Sequence, residues 1–165
     1  MKPYPLSALL NLRIFRQDKA MLALQRSEKK LANARIAVKQ AIEKHKEFMV
    51  WLEKEEESRY QSIMEKEMTL DEIDDFKLGL LAVRGREALY LENILKAKNR
   101  VQVCRENVDA AKRHLLDAQK GTLKIEVHRE RWLELAKFEA QRAEELELED
   151  FRPARLDLFG ERLSA

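Results

Sequence analysis

The groups through which this chain could do acid–base, nucleophilic or metal chemistry are three histidines, one cysteine and thirty carboxylates. His45, His114 and His128 lie far apart and share no metal-ligand spacing with each other or with Cys104. The four glycines, at 79, 85, 121 and 160, are isolated, so no glycine-rich phosphate loop exists, and no nucleophile elbow either. The carboxylates fall on solvated helical faces, and nothing in their pattern implies a cleft that would shift their pKa values. The reading is therefore a non-enzyme without cofactor or metal, whose function is binding or mechanical.

The elements that carry these residues follow from composition. The chain has 165 residues, 38% of them charged, with only 4 Gly and 3 Pro. Such a length allows one domain at most, and so few turn residues leave room for few turns. One cysteine excludes an internal disulfide, and Cys104, lying in an apolar stripe, reads as a small buried hydrophobe. Arg13, Arg16, Asp18 and Lys19 interrupt the first apolar run, so it is read as neither signal peptide nor membrane span, and a cytoplasmic protein is expected. The net charge of +2 is unevenly spread: +7 over residues 1–50, −7 over 51–75, +6 over 76–138 and −4 over 139–165.

Pro3 and Pro5 keep the first residues extended, and a helix can begin near Leu6 or Ser7. From there the heptad series Leu10, Gln17, Leu24, Leu31, Val38, His45, Leu52 runs beside Ala20, Ser27, Ala34, Ala41, Phe48. Spacings alternate between three and four, the pattern of a coiled-coil seam. Thr69-Leu70-Asp71-Glu72 reads as a capping box that opens a second helix, with acidic residues near its positive end. The second seam is the more regular: Phe76, Leu80, Val83, Glu87, Tyr90, Ile94, Ala97, Val101, Cys104, Val108, Ala111, Leu115, Ala118, Thr122, Ile125. It continues less cleanly through Trp132, Leu135 and Phe138 into an acidic run that Pro153 should end.

Two helices with one stripe each and a short turn between them fold back on one another. The expected fold is all-α: a long two-helix antiparallel coiled-coil hairpin with a C-terminal helical overhang. Residues 1–150 form the single domain, with helix 1 at about 7–66, helix 2 at about 70–150, and 151–165 as a flexible tail. His45 is a polar seam residue of the kind that sets register. Gly85 should lie across from Trp51 and Leu52, where it either relieves a clash or is a merely tolerated surface glycine.

Two groups of apolar residues exceed what such a seam can bury. Leu6, Leu9, Leu10, Leu12, Ile14, Phe15, Met21, Leu22 and Leu24 surround the first turns of helix 1. They either pack under the overhang or enter a partner. Phe48, Met49, Trp51, Tyr60, Ile63 and Met64 form a smaller surplus near the turn, and there the core is the favoured reading. Nucleic acid is an unfavoured partner, because Lys and Arg on the helices are interleaved with Glu and Asp, and no aromatic residues are interleaved to stack bases.

Tyr4-Pro5-Leu6-x-x-Leu9-Leu10-x-Leu12-Arg13, then charged helix without Gly or Pro past residue 66, resembles the start of the type III secretion stalk proteins (YscO/SctO) and their flagellar relative FliJ. His128-x-Glu130-x-Trp132 leading into a Glu-rich tail adds to the similarity, which covers about residues 4–150. The resemblance implies a central stalk, similar in shape to the gamma subunit of rotary ATP synthases. Such a stalk inserts into the hexameric type III secretion ATPase, promotes its assembly or activity, and links it to the cytoplasmic domain of the export gate. It also implies contact with translocator chaperones and a place in the bacterial cytoplasm, peripheral to the secretion apparatus at the inner membrane.

Carried onto matching positions, the resemblance makes Leu6, Leu9, Leu10, Arg13 and Trp132 the ATPase-binding candidates. Phe48, Trp51 and Tyr60, at the far end of the hairpin, are the candidates for the export gate or a chaperone. The chain is expected to be monomeric alone, without membrane insertion. Two other readings of the residues stay open: a coiled-coil adaptor that holds chaperones or cargo without an ATPase partner, and a parallel dimer of one unbroken helix acting as a spacer.

Overall fold

A computed structural model describes the backbone of residues 2–160 and the side chains of residues 2–151. It is all-α. Helix α1 spans Ser7–Ile63, α2 spans Leu70–Gly85 and α3 spans Glu87–Gly160. No strand occurs among the described residues.

Each helix end has a local cause. Pro3 and Pro5 hold the lead-in extended, and α1 starts once the Ser7 amide reaches the Tyr4 carbonyl at 3.2 Å. The turn after Ile63 is short, and α2 opens on the capping box: the Glu72 amide donates to Thr69 Oγ1 at 3.3 Å while the Thr69 amide donates to Glu72 Oε2 at 3.0 Å. Asp71 and Glu72 lie in the first turn of α2, where the helix dipole favours them.

In two places the chain departs from the expected second helix. Continuity over 70–150 is interrupted at Arg86, where the Arg86 amide bonds to the Val83 carbonyl (3.2 Å) and the Leu89 amide to the Arg86 carbonyl (3.1 Å). These are bonds to the third residue back, a tightening of the helix rather than a reversal, and the preceding Gly85 opposes it least. At the other end, Pro153 does not stop α3, which runs to Gly160. A proline removes one helical amide and crowds one carbonyl, and residues beyond it can still resume the helix.

By its internal contacts the chain forms two units, Met21–His114 and Met1–Ala20 with Leu115–Ala165. In the Met21–His114 unit, Leu31 and Ala34 of α1 cluster with Val101, Cys104 and Val108 of α3, flanked by Leu24 and Val38. Further toward the turn Phe48 and Leu52 cluster with Val83 and Tyr90, and Tyr60 meets Phe76 edge-on at 5.7 Å. Rising numbers in α1 meet falling numbers in α2 and α3, so the pairing is antiparallel. In the other unit Tyr4 lies against His128 and Trp132, and Arg13 against Gly121, again antiparallel.

The heptads predict this seam residue by residue. Every seam position from Leu10 to Leu52, and from Phe76 to Ile125, is buried or half-buried. Leu135 and Phe138, where the pattern weakens, are exposed, and every side chain from Lys137 to Phe151 faces solvent. Three polar seam members find partners: His45 Nε2 donates to Glu87 Oε1 at 3.1 Å, and the Thr122 hydroxyl donates to the Ala118 carbonyl at 3.1 Å. The imagined clash at Gly85 is absent, because a Cβ there meets nothing within 4 Å. Neighbours close on two other glycines: Arg13 Nη1 would lie 3.1 Å from a Cβ at Gly121, and Arg59 Nη1 3.2 Å from one at Gly79.

Three outcomes follow. Gly85→Ala should stabilise the protein by about 1 kcal/mol, a rise of roughly 3 °C in Tm by circular dichroism, because space is free and alanine favours the helix. Thr69→Ala should lower stability by about 1 kcal/mol in the same measurement, through loss of the cap. Arg84 donates to Glu56 at 2.5 Å, and this bond holds the Glu56 carboxyl below its ordinary value of 4.5. A folded pKa below the unfolded one gives stability that is present above pH 4.5 and lost as pH falls through the folded value. Glu56→Gln should therefore flatten the acid limb of a Tm-against-pH curve slightly, since the pair is solvent-screened.

Candidate partner-binding surfaces

Prolines on either side fix Tyr4 in an extended lead-in, which aims its ring across at α3. The ring is 8% exposed, 5.6 Å from the Trp132 ring centroid and 5.8 Å from that of His128. The Tyr4 hydroxyl lies 2.8 Å from His128 Nδ1, and it donates there when the imidazole proton sits on Nε2. This aromatic group ties the start of the chain to α3. One turn into α1, Leu10 is 6% exposed, with Leu6 and Leu9 half-buried. Arg13 lays its guanidinium over the bare backbone at Gly121, and its Nε is buried without a hydrogen-bond partner.

The ATPase-binding candidates named from sequence thus fall together in one region, but mainly on its inner side. Leu6, Leu9, Leu10, Arg13 and Trp132 are all buried or half-buried, with Arg13 against Gly121 and Trp132 against Tyr4. The outer side carries Leu12 (44% exposed), Ile14 (40%) and Phe15 (64%). Part of this apolar surplus is therefore buried within the chain, and part of it remains exposed. A helix face of 3.6-residue period cannot turn residues 10 and 12, or 13 and 15, toward the same neighbour.

The other candidates lie in the Met21–His114 unit. Phe48 is a core residue, 7% exposed and stacked on Tyr90 with centroids 4.6 Å apart. Trp51 leans on Phe48 at 5.7 Å and stays 41% exposed, and Tyr60 is 42% exposed. Phe48, Trp51 and Tyr90, with Lys44, Glu47 and Arg86, line a shallow groove of about 390 Å³ beside the Arg86 break. Sequence reasoning named Tyr4 and His128 only within the resemblance motifs and Tyr90 only as a seam position, without foreseeing their contacts, and it did not single out Arg86. The two prolines around Tyr4 and the antiparallel register that sets it opposite Trp132 were the available signals for the first pair. Arg86 had none beyond its neighbouring glycine.

What these arrangements offer chemically is contact. Cys104 is buried. Among the described residues no three His, Cys, Asp or Glu side chains gather to hold a metal ion, and no helix is long and apolar enough to cross a membrane.

Comparison with known proteins agrees with this architecture. The crystal structure of type III secretion protein YscO from Vibrio parahaemolyticus is similar, with a TM-score of 0.80 and 25% identity, over 88% of this chain and 92% of that one. The structure of CT670 from Chlamydia trachomatis, described as a YscO homologue, has a TM-score of 0.78 and 20% identity, over 98% of this chain and 99% of that one. No curated protein sequence matches. The family model for type III secretion protein YscO matches residues 6–153, nearly the whole helical length, and on that match the chain belongs to the YscO family of type III secretion proteins.

Proposed function

We propose that this chain is the central stalk of a bacterial type III secretion system: a non-enzymatic helical hairpin that inserts into the hexameric export ATPase and promotes its assembly or activity. It works in the bacterial cytoplasm at the inner-membrane base of the apparatus. Family membership sets the process, and the exposed group Leu12, Ile14 and Phe15 on the first turns of α1 carries the assignment of the end that enters the ATPase. Three large apolar side chains held in water within about one turn forgo roughly 1.5–3 kcal/mol each if a partner never covers them. The inner set, Leu6, Leu9, Leu10, Arg13 and Trp132, supports that face from beneath.

Within each unit the cross-section is a pair of helices, roughly 20 Å wide, compatible with the axial channel of a ring. The exposed Trp51 and Tyr60 are the surface assigned to the export gate's cytoplasmic domain or a translocator chaperone, with Phe48 holding Trp51 in place.

The test is the ATP hydrolysis rate of the cognate export ATPase titrated with this protein. Stimulation should saturate near one chain per hexamer. Leu12→Asp with Phe15→Asp should reduce that stimulation about tenfold or more, because two apolar contacts are lost, while helical content and Tm stay unchanged. Leu10→Asp is the contrasting variant: it buries a carboxylate in the seam and should lower Tm directly. Absence of both stimulation and co-elution with the ATPase would favour an adaptor that holds chaperones with its exposed aromatic residues.

A further inference from the structure

Where the interleaving of charge along the helices fails, it does so once on two stretches that the fold brings together. From Lys29 to Ile42 in α1 there are four cations and no carboxylate, and from Asn93 to Arg105 in α3 another four and again none. The antiparallel register sets these two stretches side by side, around the cluster of Leu31, Ala34, Val101 and Cys104. Arg35, Lys39, Lys98 and Arg105 rim a groove of about 400 Å³ whose floor is Val38 and Val101. None of these four cations is in an ion pair among the described residues. Like charges set this close cost stability, and an anionic occupant removes the cost. The valine floor and the absence of aromatic residues favour an acidic amphipathic helix over a nucleic acid, which would stack its bases on rings.

The chain itself carries a helix of that chemistry. Between Glu139 and Phe151, α3 has six carboxylates against the one cation Arg142, and all its side chains there are exposed. Glu144, Glu147, Leu148 and Phe151 recur at intervals that place them on one helical face, with Leu148 67% and Phe151 78% exposed. Acid and apolar groups on this face match the cations and valines of the groove.

We propose that the acidic end of α3 of a second copy docks in this cationic groove. Leu148 and Phe151 of one molecule cover Val38 and Val101 of the other, and Glu144 and Glu147 neutralise its rim. The contact is reversible, since exposed ion pairs contribute little each and are screened by salt.

The experiment is sedimentation velocity of the full-length protein over roughly a hundredfold range of concentration. Concentration-dependent self-association is expected at low salt, weakening about tenfold as ionic strength rises and screening strengthens. Arg35→Glu with Lys98→Glu, and separately Glu144→Lys with Glu147→Lys, should each leave a monomer of unchanged circular dichroism, since all four positions are exposed. The chain carrying all four substitutions should associate again, which a merely misfolded variant would not do. A wild-type monomer at every concentration, association indifferent to both reversals, or failure of the four-fold variant to recover it would overturn the proposal. So would a wild-type chain that stays monomeric while binding heparin or a single-stranded oligonucleotide through Arg35 and Lys98.

Discussion

Everything in this molecule depends on a seam two side chains wide. Even its most buried members keep about 4–9% of their surface in water, and among the described residues no side chain is sealed off entirely. A pair of helices has no third layer to close over the core, so burial per residue is modest, and stability comes from repeating it over many heptads. That constraint explains why so long a chain contains so few turns. Shortening either helix would remove seam without removing any end effect.

A long apolar seam has its own weakness: one heptad looks much like the next, and the pair could slide. Polar contacts across the seam resist this. His45 and Glu87 are polar members of two mainly apolar series, and each finds the other. A slip of one heptad would leave both facing hydrocarbon. Arg13 over Gly121 works by shape instead, since its Nη1 would lie only 3.1 Å from a Cβ added there. Tyr4, held by its prolines and bonded to His128, fixes the register of the first residues against α3.

The same narrowness decides what was legible beforehand. Periodicity reports which residues share a helical face, and in a two-helix seam that is nearly the whole fold, so the seam positions and the Thr69 cap emerge correctly from the sequence. Around Leu6–Phe15 periodicity says little, because apolar residues occur on all sides. Only coordinates separate Leu10, turned inward, from Phe15, turned outward. The Arg86 interruption costs a single hydrogen-bonding step and leaves the heptad phase intact, so the side-chain pattern does not record it. Pro153 misled in the opposite direction, since its local cost is real but does not oblige the helix to end. Summing charge over long segments hid the stretch of α1 and α3 in which carboxylates are missing, because the antiparallel fold, not the linear order, brings its two halves together.

A two-helix protein also has no interior in which to place function. Its grooves are shallow, and Glu56 and Arg84 owe their shifts to one another rather than to burial. Recognition must then come from what the outer faces carry beyond the needs of solubility. On this chain the excess is of three kinds: large apolar groups on α1, exposed aromatic residues around Trp51 and Tyr60, and unbalanced charge at the cationic groove and the acidic end of α3. Apolar and aromatic surface favours durable contact with a shaped partner, whereas unbalanced charge favours contacts that form fast and are released by salt or by competition. A stalk of the kind proposed, seated in a ring and exchanging partners, would need both kinds. Keeping them on separate stretches of the helices lets each be engaged or released without disturbing the seam that holds the fold.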